Sequence, residues 1–449
     1  MASDQMSIGI GHTTESFEQR RSRWTIGRNQ MCTPMAADRK FSSCRLYSTF
    51  SDKETSKALS TIPTIQTIRT KLLNVDTEEP DTIYQTLLTS IQILQDLDAP
   101  EPIESACHLL SHALKDDFQW DDNGFATLFQ MVEEDNPQRQ SSSFYYYYNP
   151  HTNNQVDFFQ KKVTAKELEN FSNMLVRRIQ KEPLQYIIGQ WDFYNCTLKI
   201  RSPCLCPRPE TEELVEHVAQ DIRELMARRR RQEEVTTDFN ASGRKKIRIL
   251  DCGCGTGAIG ISIAKLFPTE VEVVAIDINP EAVTLSRENA AWVMGGQSSS
   301  ISSSMDPNLY QAFECSAFDY TNESHQHKYD FEFDIVVSNP PYIPLADMST
   351  LTADVIGHED YNALCGGVDG MDVIRDIVTR LPEWSKKEDQ NNEEKGLTTV
   401  CWMEVDTSHP ALIEEWLRDY ALKCNVKFVE GRKDLSGLDR FVKLEVLPN

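Results

Sequence analysis

The sequence lacks a hydrophobic run long enough to cross a bilayer. A transmembrane helix needs roughly 20 consecutive apolar residues, and polar or charged residues interrupt every apolar stretch of this 449-residue chain before that length. The N-terminal region also lacks the apolar core of a secretory signal peptide. We therefore expect no transmembrane anchor and no membrane partner.

Positive charge is also scarce. The 46 Lys and Arg residues are outnumbered by 69 Asp and Glu residues, which leaves a net charge of −23. Proteins that hold a nucleic-acid backbone over a wide surface rely on clustered Lys and Arg, so we expect no direct nucleic-acid partner. The one dense basic run, the arginines at 228–231, precedes acidic and polar residues. That pattern is typical of a solvated helix end or loop.

The cysteines lack the regular spacing of a disulfide framework. The chain has 12 of them, and irregular spacing in a chain of this length predicts reduced thiols in an intracellular compartment. Two Cys-x-Cys pairs occur, Cys204 with Cys206 and Cys252 with Cys254. Neither has the two-residue spacing that suits tetrahedral zinc ligation, so we expect no metal site.

The N-terminal segment, residues 1–58, resembles an organelle transit peptide. It is rich in Arg and Ser, as such peptides are, and Arg45 stands three residues before Ser48, as at a mitochondrial cleavage site. Acidic residues such as Asp4 and Glu15 fit this interpretation less well. The favoured location is the mitochondrial matrix, while a plastid or cytoplasmic location and a merely disordered tail stay open as alternatives.

Helical periodicity predicts a small all-α domain over residues 59–181. Apolar residues recur at helical spacing, for example at Leu87, Ile91 and Leu94, and form one stripe on a helix surface. A tyrosine-rich insertion near 135–156 interrupts this pattern and is too polar and repetitive for a packed helix.

Buried strands and amphipathic helices alternate over residues 182–449. "KIRILDCG" and "VEVVAIDI" are continuous apolar strands, each followed by a helix. This order predicts an α/β domain with a parallel sheet covered on both faces, in which ligands bind at the carboxyl ends of the strands. Polar stretches near 228–245, 295–308 and 385–397 are predicted to be surface insertions.

A glycine-rich loop, "DCGCGTGAIG" at 251–260, joins the first of these strands to a helix. Gly253, Gly255 and Gly257 permit positive φ angles and close approach of a ligand to the backbone. Asp277 follows about twenty residues later at the end of the next strand, where its carboxylate can accept hydrogen bonds from ribose hydroxyls. The pattern predicts a nucleoside-containing ligand, and NAD is an alternative to S-adenosylmethionine at this point.

The sequence "SNPPY" follows the buried strand "FDIVV". An amide or exocyclic amine nitrogen is a weak nucleophile because its lone pair is delocalised, and two acceptors on its N–H bonds favour the pyramidal geometry that methyl transfer needs. The side-chain carbonyl of Asn339 and the backbone carbonyl of Pro340 can be these acceptors, since proline fixes φ. The Tyr342 ring can pack on the planar group. Asn-Pro-Pro could instead be a mere strand terminator, but the upstream glycine loop and Asp277 favour an amino-methyltransferase.

These motifs, in this order, resemble the release-factor glutamine methyltransferases of the HemK/PrmC type. "EPLQYIIGQWDFY" and "CPRPETEELVE" resemble the stretch leading into the family's catalytic domain, and "HEDYNALCGGVDGMDVIRDI" resembles its glutamate-to-double-glycine segment. "MEVDTSHP" and "KDLSGLDRFV" resemble its last two strands. The resemblance covers residues 182–447 apart from the insertions, and the helical region resembles the family's N-terminal recognition domain in type and position.

The resemblance implies a Rossmann-like, seven-stranded class I S-adenosylmethionine-dependent methyltransferase domain preceded by a small helical substrate-recognition domain. It implies S-adenosyl-L-methionine as cofactor. It also implies, as substrate, the glutamine side-chain nitrogen (N5) in the Gly-Gly-Gln motif of a class 1 peptide chain release factor.

The resemblance also assigns site residues. The positions that match the family's cofactor site are Asp251, Gly253, Cys254, Gly255, Thr256, Gly257, Asp277, Phe318 and Asn339. The substrate-binding positions are Asn339, Pro340, Pro341 and Tyr342, of which Asn339, Pro340 and Tyr342 are the catalytic candidates. Arg208 and Glu212 are expected to shape the pocket.

The chain departs from the family pattern in three places. Ala317 replaces the family's usual acid near the adenine, and "HEDYNALCGG" lacks the proline and arginine that commonly follow its glutamate. Cys252 and Cys254 stand in glycine-loop positions that other small or apolar residues often hold. None of these changes removes a proposed catalytic atom.

Two other functions stay open from the sequence. A nucleic-acid amino-methyltransferase acting on adenine N6 or guanine N2 would use the same Asn339 geometry, with a flipped base on Tyr342, but the acidic balance disfavours it. A non-catalytic binding protein is disfavoured because Asp277, Asn339 and the loop glycines are intact.

Overall fold

The computed structural model describes most of the chain, with gaps. The described residues are 64–73, 81–114, 161–235, 245–295, 308–317, 319–320, 332–385 and 398–447. The predicted transit peptide (1–58), the polar insertion near 135–156 and Phe318 lie outside these ranges.

The first described elements are amphipathic helices that pack on one another. Their bounds are α1 Ile65–Leu72, α2 Ile83–Asp96, α3 Pro102–Ala113 and α4 Ala165–Ile179. Thr64, Thr82 and Thr164 cap α1, α2 and α4 by accepting a hydrogen bond from a backbone N–H of the first turn. Leu87, Leu94 and the apolar faces of the other helices are buried together. The caps and the spacing of the apolar residues therefore agree with the helices of this region.

A short helix, α5 (Leu184–Ile188), connects the helical region to the α/β region. Its residues Leu184 and Ile187 are buried in the helical cluster, so the helical packing extends beyond the predicted boundary at residue 181. The hairpin of β1 (Gln190–Phe193) and β2 (Cys196–Lys199) follows, and Trp191 packs against the apolar clusters of both regions.

A seven-stranded sheet forms the centre of the second region, in the order β5-β4-β3-β6-β7-β9-β8. The strands are β3 Ile247–Cys252, β4 Val271–Asp277, β5 Tyr310–Glu314, β6 Ile335–Ser338, β7 Val400–Glu404, β8 Val426–Lys433 and β9 Asp439–Val446. The predicted seven-stranded α/β fold is confirmed, with one correction. The sheet is mixed, because β9 runs antiparallel to β7 and β8; a short turn joins β8 to β9, and such a connection allows only antiparallel pairing.

Helices cover both faces of this sheet. One face carries α6 Thr211–Val235, α7 Ala258–Leu266 and α8 Pro280–Met294, and the other carries α10 Asp372–Trp384 and α11 His409–Cys424. The strands β3, β4 and β6 are buried on both sides, as parallel strands require. The short helix α9 (Ala353–Ile356) and two 3₁₀ turns, Asp347–Thr350 and Tyr361–Ala363, lie between β6 and α10. Within the described ranges, none of the helices combines the length and apolar character that a bilayer crossing requires.

The long helix α6 corrects one predicted insertion boundary. The insertion was expected to start near residue 228, but α6 continues to Val235. The reason is tertiary: Arg229 donates to Asp334 at 2.9 Å and to the carbonyl of Lys245 at 2.9 Å, and Asp334 is nearly fully buried. An arginine in a basic run thus anchors the last helical turns to the sheet. Residues 236–244, 296–307 and 386–397, in the three predicted insertions, lie outside the described ranges.

Candidate active site

The carboxyl ends of four strands meet at one edge of the sheet. In the parallel register, Cys252 of β3 lies opposite Ile276 of β4 and Ser338 of β6, and Ser338 lies opposite Met403 of β7. The residues that follow these positions therefore come together. The site lies between β3 and β6, where the sheet continues with β4 and β5 on one side and with β7 on the other. Ligands of open α/β sheets bind at such a point.

The glycine loop turns sharply over this edge. Gly253, Gly255 and Gly257 have φ angles of 70°, 53° and 83°, a region that favours glycine. A Cβ on Gly253 or Gly255 would meet nothing within 4 Å, whereas a Cβ on Gly257 would lie 2.6 Å from Ile261 Cδ1. The first two glycines therefore border open space that a ligand can use, and the third allows the loop to pack on α7.

Asp277 holds the glycine loop as well as facing the site edge. Its Oδ2 accepts a hydrogen bond from Gly255 N at 2.8 Å, and its Oδ1 accepts one from Asn279 N at 2.9 Å. Burial raises the pKa of this carboxyl, while these backbone N–H groups oppose the rise. An ionised carboxylate has about four lone-pair positions, so capacity for hydroxyl donors remains. Ile278, 55% exposed, offers an apolar surface beside it.

Asp251 lies beneath the glycine loop. It is completely buried, and its Oδ2 accepts a hydrogen bond from Gly260 N at 3.0 Å in the first turn of α7. Among the described residues, its Oδ1 has no hydrogen-bond partner. Burial raises the pKa of Asp251 to about 7. Cys254 and Thr256 are also buried, so these three predicted cofactor residues line the inner side of the loop.

A chain of hydrogen bonds crosses the substrate side of the site. Asn339 Nδ2 donates to Thr211 Oγ1 at 3.1 Å, and Thr211 Oγ1 donates to Glu404 Oε2 at 2.7 Å. Tyr342 Oη donates to the other oxygen, Glu404 Oε1, at 3.3 Å. Glu404 is only 1% exposed, and burial raises its pKa to about 7. The Asn-Pro-Pro-Tyr motif is thus tied to the start of α6 and to the end of β7.

The motif carries two carbonyl oxygens that lack a donor among the described residues. In the part of the chain that the structure describes, neither Asn339 Oδ1 nor the Pro340 backbone oxygen accepts a hydrogen bond. Two glycines approach the motif's backbone closely: a Cβ on Gly366 would lie 2.5 Å from Pro341 O, and one on Gly370 would lie 2.3 Å from Tyr342 O. The double-glycine segment therefore packs directly against the motif.

Arg208, one of the two predicted pocket residues, pairs with Glu359 of the glutamate-to-double-glycine segment. Its Nη2 donates to both carboxylate oxygens of Glu359 at 2.9 Å, and Glu359 is 6% exposed. Burial raises the pKa of Glu359, and the Arg208 charge opposes the rise. Glu212, the other predicted pocket residue, lies in the first turn of α6, and its neighbour Thr211 makes the contact with Asn339.

Thr211 and Glu404 were missed at the level of sequence. Both stand inside motifs that the family resemblance singled out, "PRPETE" and "MEVD", but their pairing depends on tertiary structure. One signal was available: a glutamate directly after the apolar residues "VCWM" of a predicted buried strand is costly to bury and calls for partners. In the described ranges, no group of three His, Cys, Asp or Glu side chains could hold a metal ion.

Comparison with known proteins gives consistent matches. The family models "PrmC N-terminal domain" and "Methyltransferase domain" match residues 157–189 and 244–293. The human MTRF1L release factor glutamine methyltransferase is 32% identical over 284 residues, which cover 63% of this chain and 72% of the relative. The release factor glutamine methyltransferase of Bacillus cereus is 31% identical over 287 residues, which cover 64% of this chain and 84% of the relative.

Solved structures give a weaker likeness. The N-terminal domain of human METTL16 in complex with SAH is 14% identical and covers 57% of this chain and 77% of that one, with a TM-score of 0.34. A score at this level adds nothing to the sequence matches.

Proposed function

Because the chain belongs to the family of release factor glutamine methyltransferases, we propose that it methylates N5 of the glutamine in the Gly-Gly-Gln motif of a class 1 peptide chain release factor, using S-adenosyl-L-methionine. The observation that carries the proposal concerns the carbonyl oxygens of Asn339 and Pro340. No described residue donates to either oxygen, and both residues follow β6, next to the strand that leads into the glycine loop.

The residues of the glycine loop fit S-adenosyl-L-methionine. Gly253 and Gly255 border open space in which a ligand can approach the backbone, and Asp277 retains acceptor capacity for ribose hydroxyls. Ile278 offers an apolar face for a flat base. Asp251, Cys254, Thr256 and Gly257 would support the loop from inside. When bound, this cofactor supplies an electrophilic methyl group on its sulfonium.

The Asn-Pro-Pro-Tyr motif would position the acceptor amide. Asn339 Oδ1 and the Pro340 carbonyl would each accept one N–H of the glutamine side chain, which favours the pyramidal nitrogen that methyl transfer requires. The side-chain plane would pack on Tyr342 and Pro341. These groups act as preorganised dipoles and by orientation, and no general base is needed beforehand because the nitrogen becomes acidic once it is methylated.

A direct assay separates this function from nucleic-acid methylation. We expect the protein to transfer labelled methyl groups from S-adenosyl-L-methionine to an unmodified class 1 release factor, and expect no transfer to single- or double-stranded DNA or to RNA. Changing the glutamine of the factor's Gly-Gly-Gln motif to alanine should abolish incorporation, while changing a distant surface glutamine should not. Transfer to nucleic acid but not to the factor would overturn the proposal.

Mitochondrial location is the corresponding proposal for the N-terminal segment. Residues 1–58 joined to a fluorescent protein should direct it to the mitochondrial matrix, because the segment carries the Arg and Ser content of a transit peptide. Changing its arginines to glutamate should leave the reporter in the cytosol. Plastid import or a cytosolic wild-type reporter would contradict the proposal, and the release factor of that other compartment would then be the acceptor to test.

A further inference from the structure

The hydrogen bonds between Asn339, Thr211 and Glu404 join three separate elements: the end of β6, the start of α6 and the end of β7. On the basis of this geometry and of the function proposed above, we propose that Glu404 and Thr211 are positioning residues. Through them, the side-chain amide of Asn339 is held with its carbonyl oxygen toward the acceptor nitrogen.

The direction of each hydrogen bond decides the orientation of Asn339. A primary amide has a donor end and an acceptor end of nearly the same shape, so its partners must fix which end points into the site. An ionised carboxylate can only accept, and the single hydroxyl proton of Thr211 is therefore used on Glu404 Oε2. The oxygen of Thr211 can then only accept, and Asn339 must turn its NH₂ group toward it. The carbonyl oxygen of Asn339 is thereby left for the acceptor.

The same carboxylate also holds the aromatic residue of the motif. Tyr342 Oη donates to Glu404 Oε1, so the two oxygens of one buried group fix the two side chains that flank Pro340 and Pro341. Burying an anion is costly unless it is well hydrogen-bonded. A packing role alone would be served better by an apolar residue at position 404. The two hydrogen bonds explain why a glutamate stands there.

Charged and titratable groups reach Glu404 from three neighbouring segments. Tyr342 faces it from the loop after β6, Arg440 from β9 and Glu210 from the segment before α6. Arg440 is itself engaged with Asp434, to which its Nε donates at 2.8 Å. Burial raises the pKa of Glu404 to about 7, although the hydrogen bond from Thr211 and the charge of Arg440 oppose the rise.

The protonation state of Glu404 therefore changes near neutral pH. Below its pKa the carboxyl can donate a proton to Thr211, which frees the hydroxyl proton of Thr211 to point at Asn339. Either end of the amide is then acceptable, and part of the population presents an NH₂ group to the acceptor. Above the pKa only the productive orientation remains. We expect the kcat of the wild type to rise severalfold between about pH 6 and about pH 8.

The first test replaces the hydroxyl while keeping the shape of Thr211. T211V should lower kcat roughly 10-fold and leave the Kd of S-adenosyl-L-methionine and the KM of the acceptor near their wild-type values. T211S restores the hydroxyl and should recover most of the lost rate. T86V is the matched control, because Thr86 is a fully buried threonine of α2 whose Oγ has no hydrogen-bond partner among the described residues; it should leave kcat unchanged.

The second test uses E404Q. Its amide oxygen can still accept from Thr211, and its charge is pH-independent, so the rise in kcat with pH should flatten relative to the wild type. Asp251, whose burial also raises its pKa to about 7, is present in both proteins, so the difference between the two profiles isolates Glu404. An unaltered pH profile for E404Q, or a T211V rate equal to that of the wild type, would overturn the proposed positioning role of Thr211 and Glu404.

Failure of this positioning role can be distinguished from failure of the proposed function. The wild type is first assayed on release factor and on nucleic acid, and the variants are then compared on whichever acceptor it methylates. Independently of any acceptor, loss of the Thr211 hydrogen bond should raise the pKa of Glu404 in T211V, which is measured by carboxyl ¹³C NMR with E404Q used to assign the signal. An unchanged Glu404 pKa in T211V would also overturn the proposed positioning role.

Discussion

Replacing Asn339 by alanine should lower kcat by roughly 10²- to 10³-fold. The variant loses the side-chain carbonyl that is proposed to accept an N–H of the acceptor nitrogen and that no described residue donates to. That interaction strengthens as the nitrogen becomes pyramidal, so its loss falls on the transition state more than on bound substrate. The Kd of S-adenosyl-L-methionine, measured by calorimetry, should change little, because Asp277 and the glycine loop are untouched.

A control is needed for the general effect of removing a half-buried amide. N195A removes the Asn195 side chain from the turn between β1 and β2, where Nδ2 donates to Ser262 O at 3.3 Å, and it should keep a kcat close to that of the wild type. Comparable rates for N339A and N195A would refute the proposed role of the motif. A rate loss accompanied by an equal loss of cofactor affinity would assign Asn339 to cofactor binding instead.

The sheet and the glycine loop could be predicted because their signals are local. Continuous apolar strands such as the one ending at Cys252 are distinctive, and Asp277 follows at the spacing of a nucleoside site. The position of Asn339 at a strand end could be predicted for the same reason, since it stands directly after the buried strand β6. In a parallel sheet, strand order alone then brings these residues to one edge.

The network around Glu404 could not be predicted because it is tertiary. Thr211 reaches Asn339 across 128 residues and Glu404 across 193, and nothing in local periodicity distinguishes Thr211 from the acidic residues beside it. The predicted start of the insertion near residue 228 was wrong for a related reason, since α6 continues to Val235. The four consecutive arginines predicted a solvated helix end or loop, and they lie in the last turns of α6, where Arg229 also contacts the buried carboxylate of Asp334.

The glycines show a finer limit of sequence reasoning. The pattern assigned Gly253, Gly255 and Gly257 one shared property, positive φ, and all three have it. Only the surroundings separate them: a Cβ on Gly257 would collide with Ile261 and lie 2.9 Å from Tyr310 Oη, whereas a Cβ on Gly255 would enter open space. Glycine can thus meet two different requirements, a positive φ angle and open space beside the backbone for a ligand.

This difference predicts that G255A weakens cofactor binding without unfolding the protein. Alanine at a φ of 53° should cost about 1–2 kcal/mol of folding free energy. Its methyl group would also occupy the space beside the loop backbone that the cofactor is proposed to use. Such overpacking costs about 1–3 kcal/mol, so the Kd of S-adenosyl-L-methionine should rise about 10- to 100-fold.

G437A provides the matched control for backbone strain. Gly437 has a φ of 81° and, like Gly255, nothing within 4 Å of a Cβ, but it lies in the turn between β8 and β9 and not in the glycine loop. Both variants should lose similar stability in urea unfolding, because the strain is of the same kind. Only G255A should lose cofactor affinity, as measured by calorimetry. Equal affinities for the two variants would mean that the cofactor does not lie in the open space beside Gly255. The loop would then have to bind the cofactor only through the backbone on the side of Asp277.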